Sequence, residues 1–134
     1  MELKVFTIDE LKVILSKHAE WLGDSDTGER ADLRSADLRS ADLSSADLRY
    51  ANLSSANLIL IGQDIRGYLF WAYQGNDEVL TIRAGCRTFV GVKAARAHWA
   101  NRHEDDNVLH EDCLSMVDRC ERMAKVRGWK LEAE

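Results

Sequence analysis

No apolar run in this chain approaches the eighteen or so residues that a membrane-spanning helix needs, although 46% of its 134 residues are hydrophobic. The first stretch also lacks the unbroken apolar core of a signal peptide, because Glu2, Lys4, Asp9, Glu10, Lys12 and Lys17 interrupt it. Both absences predict a cytoplasmic protein with no membrane partner. Cysteine is scarce. The three present, Cys86, Cys113 and Cys120, form an odd set without metal-like spacing, which suits a reducing compartment. If 113–120 is helical, its two cysteines lie roughly 10 Å apart along the axis, too far for a disulfide.

An excess of basic charge is missing as well. The net charge is −5, so the electrostatic footprint of a nucleic-acid binder is absent and no direct nucleic-acid binding is expected. Residues 1–28 carry 3 basic and 6 acidic groups, and 100–134 carry 6 and 9, whereas 61–99 carry 5 and 3. Acidity collects at the two ends, where it could engage a basic partner. Signatures of catalysis are lacking too: there is no G-x-S-x-G, no phosphate loop and no dinucleotide fingerprint. A serine hydrolase would need its nucleophile beside a base and an oxyanion site. The chain is therefore expected not to be an enzyme, with no catalytic residue and no cofactor. A zinc site drawn from Cys86, His98, His103, Cys113 and Cys120 has only one metal-like spacing, His98 to His103 with four residues between. Cys113 and Cys120 are better explained as small apolar residues on a buried helix face. No metal ligand is assigned.

What the sequence does have is a stutter. "RADLRSADLRSADLSSADLRYANLSSANL" runs from Arg30 to Leu58, with Leu at 33, 38, 43, 48, 53 and 58, each two places after an Ala. On an α-helix, leucines five apart step by roughly 140° and spiral round every face. In a flat strand the odd spacing flips each one to the opposite side. Ala and Leu two apart do share a face locally, so each Ala-x-Leu can point inward if the chain turns a corner after every unit. Four corners close a square. One coil then takes twenty residues, and the next stacks on it at strand spacing, about 4.8 Å. Ser35, Ser40, Ser45 and Ser55 take corner positions, where small polar residues favour turning.

The first four units read Ala-Asp-Leu and the next two Ala-Asn-Leu. Four-sided stacking sets Asp32 against Asn52 and Asp37 against Asn57. The switch thus falls where Asp over Asp would begin to repel.

This tandem A(D/N)LXX pattern, Ala31 to Leu60 in six units, resembles the pentapeptide-repeat family. The resemblance implies a right-handed quadrilateral β-helix with inward Ala31, Leu33, Ala36, Leu38, Ala41, Leu43, Ala46, Leu48, Ala51, Leu53, Ala56 and Leu58. A degenerate seventh unit is expected at Gln63-Asp64-Ile65-Arg66-Gly67. Some family members resemble duplex DNA and bind DNA-handling enzymes. Here Arg34, Arg39 and Arg49 stand beside Asp32, Asp37, Asp42 and Asp47, and 1.5 coils rise only on the order of 7 Å, which argues against a long DNA mimic. So short a solenoid exposes unpaired edges, so the flanks must complete it.

Residues 7–22 predict that plug: Thr7 and Glu10 form a capping box, Leu11, Ile14, Leu15, His18 and Leu22 share one face, and Gly23 suits the stop. His18 reads as a packed histidine rather than a ligand. Residues 67–85 predict two strands about a Gly75-Asn76-Asp77 turn. Helices follow within 90–102 and 105–130, the second started by Asp105 and Asp106 and ended at Gly128. The stretch GCRTF…ARAHW…RGW, within residues 84–129, also resembles the tails of phage and prophage pentapeptide-repeat proteins.

The expected fold is mixed α/β: a capping helix (1–28), a short β-helix (29–67) and a C-terminal unit of a β-hairpin and two helices (68–134). The expected function is a phage- or prophage-type module that binds a partner protein, its open edges favouring a homodimer. The alternative is inhibition of a host DNA-handling or anti-phage defence enzyme through acidic surface. The third reading is a metal-binding or enzymatic C-terminal unit. The candidate interaction surface is the outward repeat face (Asp42, Asp47, Arg39, Arg49) and the aromatic hairpin (Phe70, Trp71, Tyr73), although aromatics clustered in a hairpin also serve as core.

Overall fold

The computed structural model describes residues 3–133 except Ser40, Ser44, Ser45, Cys86, Asn101 and 103–105, together with all side chains of the described helices and strands but that of Asn76. Expectations placed on Ser40, Ser45, Cys86, His103 and Asp105 lie outside the described residues. The chain forms two compact units, Met1–Leu58 and Ile59–Glu134. Residues 59–67, grouped with the repeat by their sequence, therefore belong to the second unit.

In the first unit Thr7 opens helix α1 (Ile8–Gly23). Its hydroxyl accepts the Glu10 N–H at 3.1 Å, and the Glu10 carboxylate accepts the Thr7 N–H at 3.0 Å, so the capping box is complete. Gly23 is the last helical residue rather than the stop; Asp24 caps the helix in extended geometry. The reversal comes at Gly28, with φ +65°, where a Cβ would stand 2.3 Å from the Lys17 carbonyl oxygen. A left-handed backbone and so close an approach both exclude a side chain.

Beyond Ala31 the chain returns beside itself after twenty residues. Asp32 and Asn52 form a parallel bridge. Asn52 donates its N–H to the Ala31 carbonyl at 3.0 Å, and Leu33 donates to that of Asn52 at 2.8 Å. One unit later Asn57 donates to the Ala36 carbonyl at 3.1 Å. The spacing expected of a four-sided coil is thus present where units five and six meet units one and two. Leu33, Leu38, Leu43, Leu48 and Leu58 are buried, with Ala31, Ala36 and Ala56. Ala41, Ala46, Ala51 and Leu53, expected in the interior, are half-buried. The repeat ends by Leu60, so no later unit follows to cover them.

Lys4 pairs in parallel with Ala36 from the other side. It donates to the Ser35 carbonyl at 2.7 Å and accepts the Asp37 N–H at 2.8 Å. These groups alternate along the strand with the Ala36 carbonyl that Asn57 uses, so Lys4 and Asn57 flank the second unit on opposite edges. His18, the buried residue of α1, completes the closure. Its Nδ1 accepts the Ala31 N–H at 3.0 Å, which leaves Nε2 to donate to the Arg49 carbonyl at 2.9 Å. The ring lies 5.7 Å from Trp21, nearly parallel to it.

The second unit is a sheet in the order β1 (Leu58–Gln63), β2 (Leu69–Gln74), β3 (Leu80–Ala84), β4 (Arg87–Val90), followed by α2 (Val92–Ala100) and α3 (Asn107–Arg127). β2 pairs antiparallel with β3, and β3 with β4. The expected hairpin is present, and β1 and β4 widen it into a four-stranded sheet. The supposed seventh unit is instead the β1–β2 turn, where Gly67 donates its N–H to the Asp64 carbonyl at 2.8 Å. Alternate strand residues Ile59, Ile61, Phe70, Ala72, Leu80 and Ile82 share one core with Trp99 of α2 and with Leu109, Cys113, Val117, Cys120 and Ala124 of α3. Asp106 caps α3 through the Leu109 N–H, and Gly128 ends it with φ 75°.

Candidate interaction surface

Each described Asp-x-Arg of the repeat closes on itself. Oδ1 of Asp32, Asp37 and Asp47 accepts the backbone N–H two residues on, at 3.2 Å in each case. The arginine at that position then reaches back to the same carboxylate, with N···O distances of 2.8 Å for Arg34, 2.7 Å for Arg39 and 2.7 Å for Arg49. The Arg34 side chain holds the Asp32 carboxyl down to about 2, and Arg39 does the same for Asp37. Asp47 is lowered likewise by Arg49. At these three positions the outward face therefore carries neutral pairs rather than bare carboxylates. This arrangement gives no support to a phosphate-like surface.

Asn57 sharpens the Asp-to-Asn switch. Its Nδ2 donates to Asp37 Oδ1 at 2.6 Å, and its Oδ1 accepts the Leu38 N–H at 2.7 Å. An aspartate at 57 could supply only the second bond. At position 52 the amide oxygen turns instead to its own corner, accepting from Ser54 Oγ at 2.8 Å.

Two members of the aromatic hairpin are not surface. Phe70 and Trp71 are 1% and 0% exposed. Phe70 lies 5.2 Å from Trp99 within the core, and Trp71, on the opposite face of β2, carries the Arg83 guanidinium 5.0 Å from its ring centre. Tyr73 is half-buried. Among the described residues sequence reasoning missed the exposed aromatics Tyr50, 72% exposed, and Tyr68, 53% exposed; the first stands out. It holds φ 65° at a corner where Ser35 and Ser55 hold 58° and 60°. A bulky residue in the left-handed region is uncommon. The signal was a lone Tyr in a position that the other four of the first five units fill with Ser.

A groove of about 540 Å³ opens in the first unit. Its apolar wall comes from Ile8, Leu11, Leu15 and Ala19 of α1 and from Ala41 and Ala46 of the repeat. Lys12, Asp42 and Asp47 border it. Of the sequence-predicted surface, Asp42 and Asp47 lie here, while Arg39 and Arg49 pair along the outward face.

Residues 29–60 match the pentapeptide-repeat family in eight copies. This segment is a pentapeptide-repeat array. No curated protein and no solved structure matches the chain. The pentapeptide repeats account for the inward leucines, the corners and the Asp-x-Arg pairs, while the second unit lies outside the matched span from residue 61 on. Among the described residues no group of three or more His, Cys, Asp or Glu is placed to hold a metal ion. Burial pushes the Cys120 thiol up to about 12 and raises that of Cys113, so neither is an activated nucleophile. No helix among the described residues is long and apolar enough to cross a membrane.

Proposed function

We propose that the chain is a non-enzymatic protein-interaction module of the phage or prophage type, built on a right-handed quadrilateral β-helix of 1.5 coils, and that it binds one partner protein through the groove beside α1. The groove carries the reading: a concave apolar surface of this size, bordered by charged groups, fits the burial of a partner's apolar segment. The occupant is an extended segment. Lys4 already adds a parallel strand to the edge of the second repeat unit, and the groove lies along the next two, at Ala41 and Ala46. Addition of a strand to an open edge is a general mode of peptide recognition. The open repeat edge favours self-association by the same physics, and a strict monomer by light scattering at high concentration would remove that part.

The test is affinity capture with the wild type beside Ile8→Asp and Ala19→Glu. Both positions line the groove and are exposed, so the unfolding temperature should be unchanged. A partner held by the wild type and lost from both variants supports the reading. An identical captured set sinks it.

A further inference from the structure

A second cavity, of about 210 Å³, lies wholly within the second unit, far in character from the groove. Three arginines line it, Arg66, Arg87 and Arg102, with no carboxylate among the described lining residues. Tyr68, Phe70 and Trp99 supply the aromatic wall, and His98 adds an imidazole. In a chain of net charge −5, three guanidinium groups around one hollow, of which Arg66 is paired with Asp64, leave a local excess of positive charge among the described residues.

Arg66 is held by the buried carboxylate of Asp64, which accepts from Nη2 at 2.8 Å and from Nε at 3.3 Å. The same Asp64 accepts the backbone N–H of Arg66 at 2.8 Å and of Tyr68 at 3.1 Å, so turn and side chain are fixed together. The Arg66 guanidinium lies 4.7 Å from the Tyr68 ring centre, a cation–π contact that helps to hold it in place. Arg87 and Arg102 are exposed, and neither side chain has a carboxylate partner among the described residues. Behind them Trp99 is fixed by Phe70 at 5.2 Å, Phe89 at 5.1 Å and His98 at 4.8 Å. One preorganised guanidinium, two without a carboxylate partner among the described residues and an aromatic wall are the groups that recognise a phosphate attached to a flat ring.

We propose that this cleft binds a small aromatic phosphate the size of a nucleoside monophosphate, its phosphate between Arg87, Arg102 and Arg66 and its ring against Tyr68, the exposed aromatic of the lining. The volume suits a single ring system and not a strand of nucleic acid. This site is independent of the groove on the first unit and of any protein partner bound there.

The protein is titrated by calorimetry with adenosine and cytidine monophosphates, inorganic phosphate, adenosine, a phosphotyrosyl peptide and a single-stranded oligonucleotide. The expected result is saturable binding of a nucleoside monophosphate, at least tenfold tighter than inorganic phosphate or adenosine alone. Arg87→Glu with Arg102→Glu should weaken it at least tenfold while thermal unfolding of the free protein stays the same, since both residues are exposed. No binding at millimolar nucleotide overturns the proposal. Equal binding of inorganic phosphate, tighter binding of the peptide or the oligonucleotide, or an unaffected double variant also overturns it.

Discussion

His18 shows how one side chain can close an open repeat. The first coil has no predecessor to satisfy its backbone, and the ring takes one donor and one acceptor from it, the Ala31 N–H and the Arg49 carbonyl. Its amphipathic stripe position was legible in the sequence; its bonds were not, because they join residues 13 and 31 positions away. His18→Leu keeps an apolar body but orphans both backbone groups, each worth about 1–3 kcal/mol when buried unpaired. The variant should lose about 2–4 kcal/mol in chemical denaturation, and a loss below half a kcal/mol would show that water replaces the ring. Asn57 makes a second case. Asn57→Asp replaces the donor to Asp37 by a second carboxylate, so at neutral pH it should cost about 1–3 kcal/mol. That cost should shrink as the pH falls and the pair takes up a proton. A pH-independent cost would mean that shape, not charge, governs the position.

At the scale of elements, α1, the β2–β3 hairpin and α3 could be read directly, since caps, turn residues and a helical apolar period all agree there. β1 and the turn after it could not. Leu58 keeps the five-residue step, and Asp64-x-Arg66 copies the Asp-x-Arg of the repeat with the same bonds, from the Arg66 N–H and guanidinium to Asp64. One local device serves a corner and a hairpin, so the motif alone cannot tell them apart. β4 failed for the opposite reason: of Arg87–Val90 only Phe89 is even half-buried, and so short a strand carries no period. The C-terminal tail was equally silent. Leu131 accepts the Val92 N–H at 3.0 Å, and Glu132 accepts that of Lys93 at 2.6 Å, so the tail caps α2 from across the sequence. Gly91 makes room, because a Cβ there would stand 2.5 Å from the Glu132 carboxylate. Glu132→Ala should therefore cost about 0.5–2 kcal/mol and speed hydrogen exchange at Lys93 while leaving α3 protected. Unchanged exchange at Lys93 would deny the cap.

For the molecule as a whole, the charge pairs set a pH window. Asp32 and Asp37 sit at about 2 in the folded chain, against about 3.9 when unfolded. Between those values the unfolded chain binds more protons, so stability rises with pH. Their contribution is complete above about pH 5 and lost as the pH falls towards about 2. Asp47 adds in the same direction. On the alkaline side the sign reverses. The buried Cys120 thiol, pushed up to about 12, keeps its proton after an unfolded thiol at about 8.5 has released it. Its contribution is complete below that value and fades as the pH climbs towards 12. The denaturation midpoint should accordingly form a plateau from about pH 5 to about pH 8 and fall on both sides. Replacing Arg34, Arg39 and Arg49 together by Gln separates the causes. Without the guanidinium groups the three carboxyls return towards their ordinary value, so the acid limb should flatten while the alkaline limb stays as it was. An acid limb as steep as that of the wild type would place its origin elsewhere, outside the repeat's own Asp–Arg pairs.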